Sequence, residues 1–133
     1  MKIDGACHCG NIRYEAEVDP GAVSICHCTD CQTLSGTAFR AVVPSLPGGF
    51  KLLGGQPKVY IKTAESGRRR AQGFCPECGT SIYASDVTDA KVYNIRLGTV
   101  RQRAELRPVR QIWFRSALGW AMQLDSVPKT ATQ

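Results

Sequence analysis

Seven cysteines in three tight groups are the residues of this chain best suited to chemistry: Cys7-His8-Cys9-Gly10, Cys26-His27-Cys28-Thr29-Asp30-Cys31, and Cys75-Pro76-Glu77-Cys78-Gly79. Thiols this close together form disulfides, cycle electrons or ligate a soft metal. The odd count leaves one thiol over from any full disulfide framework. The third group is the most specific. A C-P-x-C-G turn aims two sulfurs at one ion while its backbone N–H groups hydrogen-bond the first, and the glycine supplies the φ > 0 residue that closes the turn. A redox C-x-x-C usually opens a helix in a βαβ setting. Here Gly79 and the strand-like Ser81-Ile82-Tyr83-Ala84 follow instead, so the spacing reads as a zinc knuckle.

A structural zinc wants four ligands in a tetrahedron, and the knuckle supplies Cys75 and Cys78. The central group brings three thiols within six residues, enough to chelate one ion unaided. Cys7 and Cys9 are then left to complete the knuckle's site. This partition uses every cysteine and ties the N-terminal segment to one about seventy residues later, a closure able to supply much of a small β domain's stability. Drawing part of the four from the central group is also open on counting, but it scatters three cysteines without a shared ion.

Cys26, Cys28 and Cys31 would leave one position open at their ion, as catalytic zinc sites do. Three thiolates make an electron-rich centre, so a water there would be a weak acid and a soft thiolate the better guest. Zinc holds such a sulfur nucleophilic at neutral pH. That chemistry is sulfur alkylation or addition, not peptide hydrolysis. The alternative is a second structural site completed by His27, a carboxylate or water. His8 and His27 each sit between two cysteines, where a side chain tends to point away from the shared ion. Both are expected as partly exposed non-ligands, with ligation or proton carriage as the alternative.

The elements that must position these groups are short strands. Ile12, Tyr14, Ala16 and Val18 alternate with polar residues, as do Phe39, Ala41 and Val43, then Val59, Ile61 and Thr63, then 81–84, then Tyr93, Ile95 and Leu97. Turn chemistry separates them: Asp19-Pro20-Gly21, Pro44-Ser45-Leu46-Pro47-Gly48-Gly49, Gly54-Gly55-Gln56-Pro57 and Glu65-Ser66-Gly67. An all-β domain follows, with single helical turns expected at 29–34 and 116–122. At 133 residues and 43% hydrophobic, the chain suits one domain, placed at 1–125, with a polar, flexible tail at 126–133. No run approaches the ~20 apolar residues needed to cross a bilayer. The N-terminus reaches Cys7 without room for a signal peptide, so a cytoplasmic protein is expected, where clustered cysteines favour metal over disulfides.

The formal charge of +6 falls to +3 once seven thiolates and two divalent ions are counted. The remaining positive charge lies in Arg68-Arg69-Arg70 and in Arg96, Arg101, Arg103, Arg107, Arg110 and Arg115. It reads as solvated surface, with anionic partners as the alternative.

Three stretches in order are familiar: Gly5-Ala6-Cys7-His8-Cys9-Gly10-Asn11-Ile12-Arg13-Tyr14, then Cys26-His27-Cys28-Thr29-Asp30-Cys31-Gln32-Thr33-Leu34-Ser35-Gly36, then Phe74-Cys75-Pro76-Glu77-Cys78-Gly79-Thr80-Ser81-Ile82-Tyr83. Over 5–124 the chain resembles the glutathione-dependent formaldehyde-activating enzyme family, whose domain is shared with centromere protein V. The resemblance implies an all-β, zinc-stapled tent of packed antiparallel sheets with little helix. It also implies a carbon–sulfur lyase acting on a glutathione or related thiol adduct of formaldehyde or another small carbonyl. Carried over residue by residue, Cys7, Cys9, Cys75 and Cys78 hold a structural Zn²⁺. Cys26, Cys28 and Cys31 hold a catalytic Zn²⁺, the more exchangeable of the two, with glutathione as co-substrate. The family often has a histidine in the C-terminal segment where Gln111 stands here.

Two other functions compete: a zinc-stapled module that binds nucleic acid or protein, and a thiol or metal sensor. The arginines lack interleaved aromatics and no basic helix is evident, so neither a nucleic-acid partner nor a membrane is expected. Trp113, Phe114 and Trp120 are expected as core or pocket-wall residues. Gln32, Ser35 and Trp113 are candidates for the pocket by nearness to the motifs.

Overall fold

The computed structural model describes residues 1–133. Nine strands and one helix follow the chain: β1 Lys2–Ala6, β2 Arg13–Val18, β3 Ser24–Cys26, α1 Thr29–Ser35, β4 Arg40–Gly54, β5 Lys58–Thr63, β6 Arg69–Phe74, β7 Ser81–Asp86, β8 Asn94–Arg96 and β9 Arg110–Ile112. The all-β expectation holds. The turn expected at 29–34 is α1, and that at 116–122 is two 3₁₀ turns, Phe114–Ser116 and Gly119–Met122.

The strands run in the order β1-β2-β4-β8-β7-β6-β5, with β3 on β4 and β9 on β3. Every pairing is antiparallel except β3 with β9. β2 shows the expected alternation, with Tyr14, Ala16 and Val18 buried and Arg13, Glu15 and Glu17 exposed. At the sheet's edge β5 does not: Val59 and Tyr60 are exposed, because only β6 pairs with it.

The segment expected as a turn at Pro44-Ser45-Leu46-Pro47-Gly48-Gly49 lies inside β4. One end of this strand pairs with β3 and β8, the other with β2. Between Ala16↔Phe50 and Val18↔Ser45, a two-residue step on β2 spans five residues of β4. The proline- and glycine-rich stretch is therefore a bulge that hands one strand from one sheet to the next. Its backbone is satisfied by neighbours: the Ser45 N–H donates to the Tyr93 carbonyl and the Gly48 N–H to that of Lys91, both at 2.8 Å.

A core of Ile12, Tyr14, Val18, Val43, Ile82 and Ile95, all within 1% of complete burial, fills the space between. Cys7 and Cys75 belong to the same buried cluster. No helix is long and apolar enough to cross a membrane.

Candidate metal centres

The sulfurs of Cys7, Cys9, Cys75 and Cys78 lie within 4.8 Å of one another, and so do those of Cys26, Cys28 and Cys31. The four-plus-three partition is thus present in space. All seven cysteines are free thiols.

Two matching turns build the four-cysteine group, one between β1 and β2 and one between β6 and β7. Each turn ends on a left-handed glycine, Gly10 at φ 81° and Gly79 at φ 74°. The Gly10 N–H donates to the Cys7 carbonyl and the Gly79 N–H to the Cys75 carbonyl, at 3.1 and 2.9 Å. Cys7 and Cys9 sulfurs stand 3.6 Å apart, Cys9 and Cys75 3.8 Å. Four thiolates at ~2.3 Å from one tetrahedral ion would be separated by about 3.8 Å, so the donor set fits zinc without rearrangement. The Ile12 N–H points at the Cys7 sulfur at 3.2 Å, and the Thr80 hydroxyl lies 3.1 Å from that of Cys78. His8 is exposed and outside the cluster.

In the triplet, Cys26 closes β3, Cys28 caps the N-terminus of α1, and Cys31 lies in that helix's first turn. The Cys28 sulfur accepts the Cys31 N–H at 3.2 Å. Cys26 and Cys31 are buried, whereas Cys28 is partly open. The Cys26 thiol is pulled down to about 5, first by its hydrogen bond from Cys31, with burial opposing and the Cys28 N–H and the charge of Arg40 assisting. Cys31 is pushed up by the same bond and by burial. Sharing one proton network so unequally is what a thiol cluster does until a cation makes every sulfur a thiolate.

His27 departs from expectation. It is fully buried, with Phe39 and Phe114 edge-on at ring-centre distances of 5.7 and 5.5 Å. Its Nε2 meets Gln111 Oε1 at 2.7 Å, and its Nδ1 has no partner. Gln111 thus braces His27. The ring turns away from the sulfurs, and His27 is not in the donor cluster.

Cys28 borders a cleft of about 390 Å³, whose walls include Asp30, Lys62, Glu65, Trp113 and Arg115. Lys62 pairs with Asp30 at 2.7 Å, and the Arg115 guanidinium lies 4.9 Å over the Trp113 ring. A larger hollow of about 690 Å³ between β1–β2 and the β4 bulge touches no cysteine. Of the pocket candidates, Trp113 lines the cleft and the other two do not. Gln32 Nε2 donates to the His27 and Ser116 carbonyls at 2.9 and 3.0 Å, and Ser35 donates to the Cys31 carbonyl at 2.7 Å. Both brace α1. Trp120 is 59% exposed and joins neither core nor cleft. Lys62 escaped the sequence reading because a lysine on a strand carries no local signal, and Arg115 entered it only as one of six arginines read as solvated surface.

Several arginines of the supposed surface set are engaged within the fold. Arg68 and Arg70 both bind Asp86, at 2.6 and 2.7 Å. Arg96 is buried.

No curated protein gives a significant match. Among solved structures, the crystal structure of a Rhodobacter sphaeroides protein is similar with a TM-score of 0.61 at 17% identity, covering 84% of this chain and 99% of that one. That likeness shows the fold. The profile of the family described as glutathione-dependent formaldehyde-activating enzyme matches residues 2–116. This span contains both cysteine groups, the cleft and all nine strands, and the chain belongs to that family.

Proposed function

We propose that the chain is a zinc-dependent carbon–sulfur lyase that joins glutathione, or a related thiol, to formaldehyde or another small carbonyl. The observation that carries this reading is the inequality of the two cysteine groups. Four sulfurs close one site, while the other has three and borders a cleft through Cys28. Zinc bound by Cys26, Cys28 and Cys31 would keep an incoming thiol in its nucleophilic thiolate form at neutral pH. The four-cysteine site would be structural.

The chain's own groups account for the rest. The thiol sulfur attacks the carbonyl carbon, a C–S bond forms, the carbonyl π pair moves to oxygen, and the proton lost by the thiol ends on that oxygen. The product is an S-hydroxymethyl thioether. Lys62 and Arg115 on the cleft wall suit the carboxylates of a glutathione-sized thiol. Trp113 offers an apolar wall, and the brace of Gln32 to the His27 and Ser116 carbonyls keeps α1 and the cleft's C-terminal side in register.

Thiols add to formaldehyde unaided, so the test is the rate above background. Exchange spectroscopy by ¹³C NMR on glutathione and labelled formaldehyde measures it directly. The zinc-loaded protein should accelerate exchange, and Cys28→Ser should abolish the acceleration while reducing bound zinc from two ions per chain to one. Acceleration that survives Cys28→Ser would overturn the reading.

A further inference from the structure

Arg96 is 7% exposed, and Arg40 is half-buried with a fully buried Nε. Neither takes part in any ion pair. Buried cations without a counter-charge are costly, and native structures pair them. The only acceptor both share is neutral: Gln72 Oε1 takes Arg96 Nη2 at 2.6 Å and Arg40 Nη1 at 3.4 Å. Arg96 Nε adds Ser81 Oγ at 3.2 Å, while Arg96 Nη1 and Arg40 Nε find no acceptor.

The strand register says where the missing negative charge is. Residues opposite one another share a face, as do residues two apart on one strand. Cys26 lies opposite Arg40, and Val42, two residues on, lies opposite Arg96. Gln72 reaches the same face through Ala84 and Asn94. One face of the sheet therefore holds Cys26, both arginines and their common acceptor. Arg70 shares this face two residues from Gln72 and pairs with Asp86, which also takes Arg68. Burial pulls Arg96 down to about 9, with Arg40 and Arg70 acting the same way and the Cys31 and Cys26 thiols opposing. A guanidinium there is cationic at neutral pH.

The charges nearest the triplet favour one closure. Three thiolates and a divalent ion leave one negative charge beside the positive charges of buried Arg96 and half-buried Arg40. A fourth ligand carrying one negative charge brings the group to neutrality, and a neutral ligand leaves it positive. We propose that Arg40 and Arg96 are positioning residues that make the three-cysteine centre select an anionic fourth ligand, a thiolate, over a neutral one such as water or imidazole. This rests on the reading that the triplet holds a divalent ion. The four-cysteine group makes a useful contrast, because its sulfurs are served by backbone N–H, hydroxyl and amide groups and by no buried cation.

The test uses the cobalt(II)-loaded protein at fixed pH, with fourth-ligand binding followed by visible absorption. The probes are 2-mercaptoethanol and azide as anions and imidazole as the neutral ligand. Arg96→Met and Arg40→Gln should each weaken both anions by roughly ten-fold or more while leaving imidazole affinity within about two-fold, and Arg96→Lys should restore most of the loss. If all three probes weaken together, or the anions do not weaken, the arginines do not select by charge and the inference is overturned. If Arg96→Met does not fold, Arg40→Gln decides. Failure of the wild-type triplet to take up cobalt would overturn the functional reading as well. Normal uptake with unaltered selectivity in the variants would overturn this inference alone.

Discussion

Cys28 differs from its neighbours Cys26 and Cys31 in a way that no cysteine count reveals: it caps a helix, stays partly open and borders the cleft. Around it, charge is arranged on two sides. Arg40 and Arg96 lie on the buried side, and Lys62 and Arg115 on the side a substrate would enter. Arg115 is only loosely committed, reaching Glu65 at 3.8 Å with both side chains exposed, whereas Lys62 is held by Asp30 at 2.7 Å. Lys62→Gln and Arg115→Gln should each raise KM for glutathione by roughly five-fold with kcat nearly unchanged, the pattern of lost uniform binding to a carboxylate. Steady-state kinetics above the spontaneous rate checks this, and a fall in kcat with KM unchanged would place these residues elsewhere in the cycle.

Among the elements, close backbone approaches hold the first cysteine turn against the sheet. Gly55, just past β4, sits at φ 74°, and a Cβ there would come 2.4 Å from the Asn11 carbonyl oxygen. Both the left-handed conformation and the contact oppose any side chain. Gly55→Ala should cost about 1–3 kcal/mol of stability, seen as a lower urea midpoint at unchanged slope. Tyr14 on β2 fastens the other side, its hydroxyl 2.7 Å from Thr99 Oγ1. Burial pushes its pKa from 10.0 up to about 12, with the Thr99 bond opposing and the charge of Asp4 adding. The folded state thus holds the proton more tightly than the unfolded state. The resulting stability is complete below pH 10 and drains away as pH rises from 10 towards 12. Tyr14→Phe should lack this loss, so wild type and variant compared by denaturant melts should converge across that window.

For the whole molecule, the four-cysteine group links the turn after β1 to the turn after β6, across a separation of 66 residues between Cys9 and Cys75. It abuts the main core, whereas the triplet lies outside that cluster. A competing chelator should therefore remove zinc in two phases: one ion quickly with near-UV circular dichroism retained, the second slowly and with loss of the fold. Cys78→Ser should lower Tm on the order of 10 °C, and Cys28→Ser by much less; equal shifts would mean equal roles. By itself the sequence determined the grouping of the seven cysteines into two sets that could hold a metal. Ligand spacing is local, and the two left-handed glycines that shape the knuckles follow directly after Cys9 and Cys78. It also determined the strand character of β2, because one face of that strand meets the core and the other meets solvent. Only the tertiary structure decided that Pro44 to Gly49 bulges inside a strand, because the backbone partners come from Tyr93 and Lys91 on a distant segment. It alone buried His27 against Gln111, turned Gln32 and Ser35 into braces, and brought Lys62 and Arg115 to the cleft. It also set two uncompensated arginines beside the three thiols. Hydrogen bonding and desolvation act between groups that folding brings together, whereas ligand spacing is written along the chain.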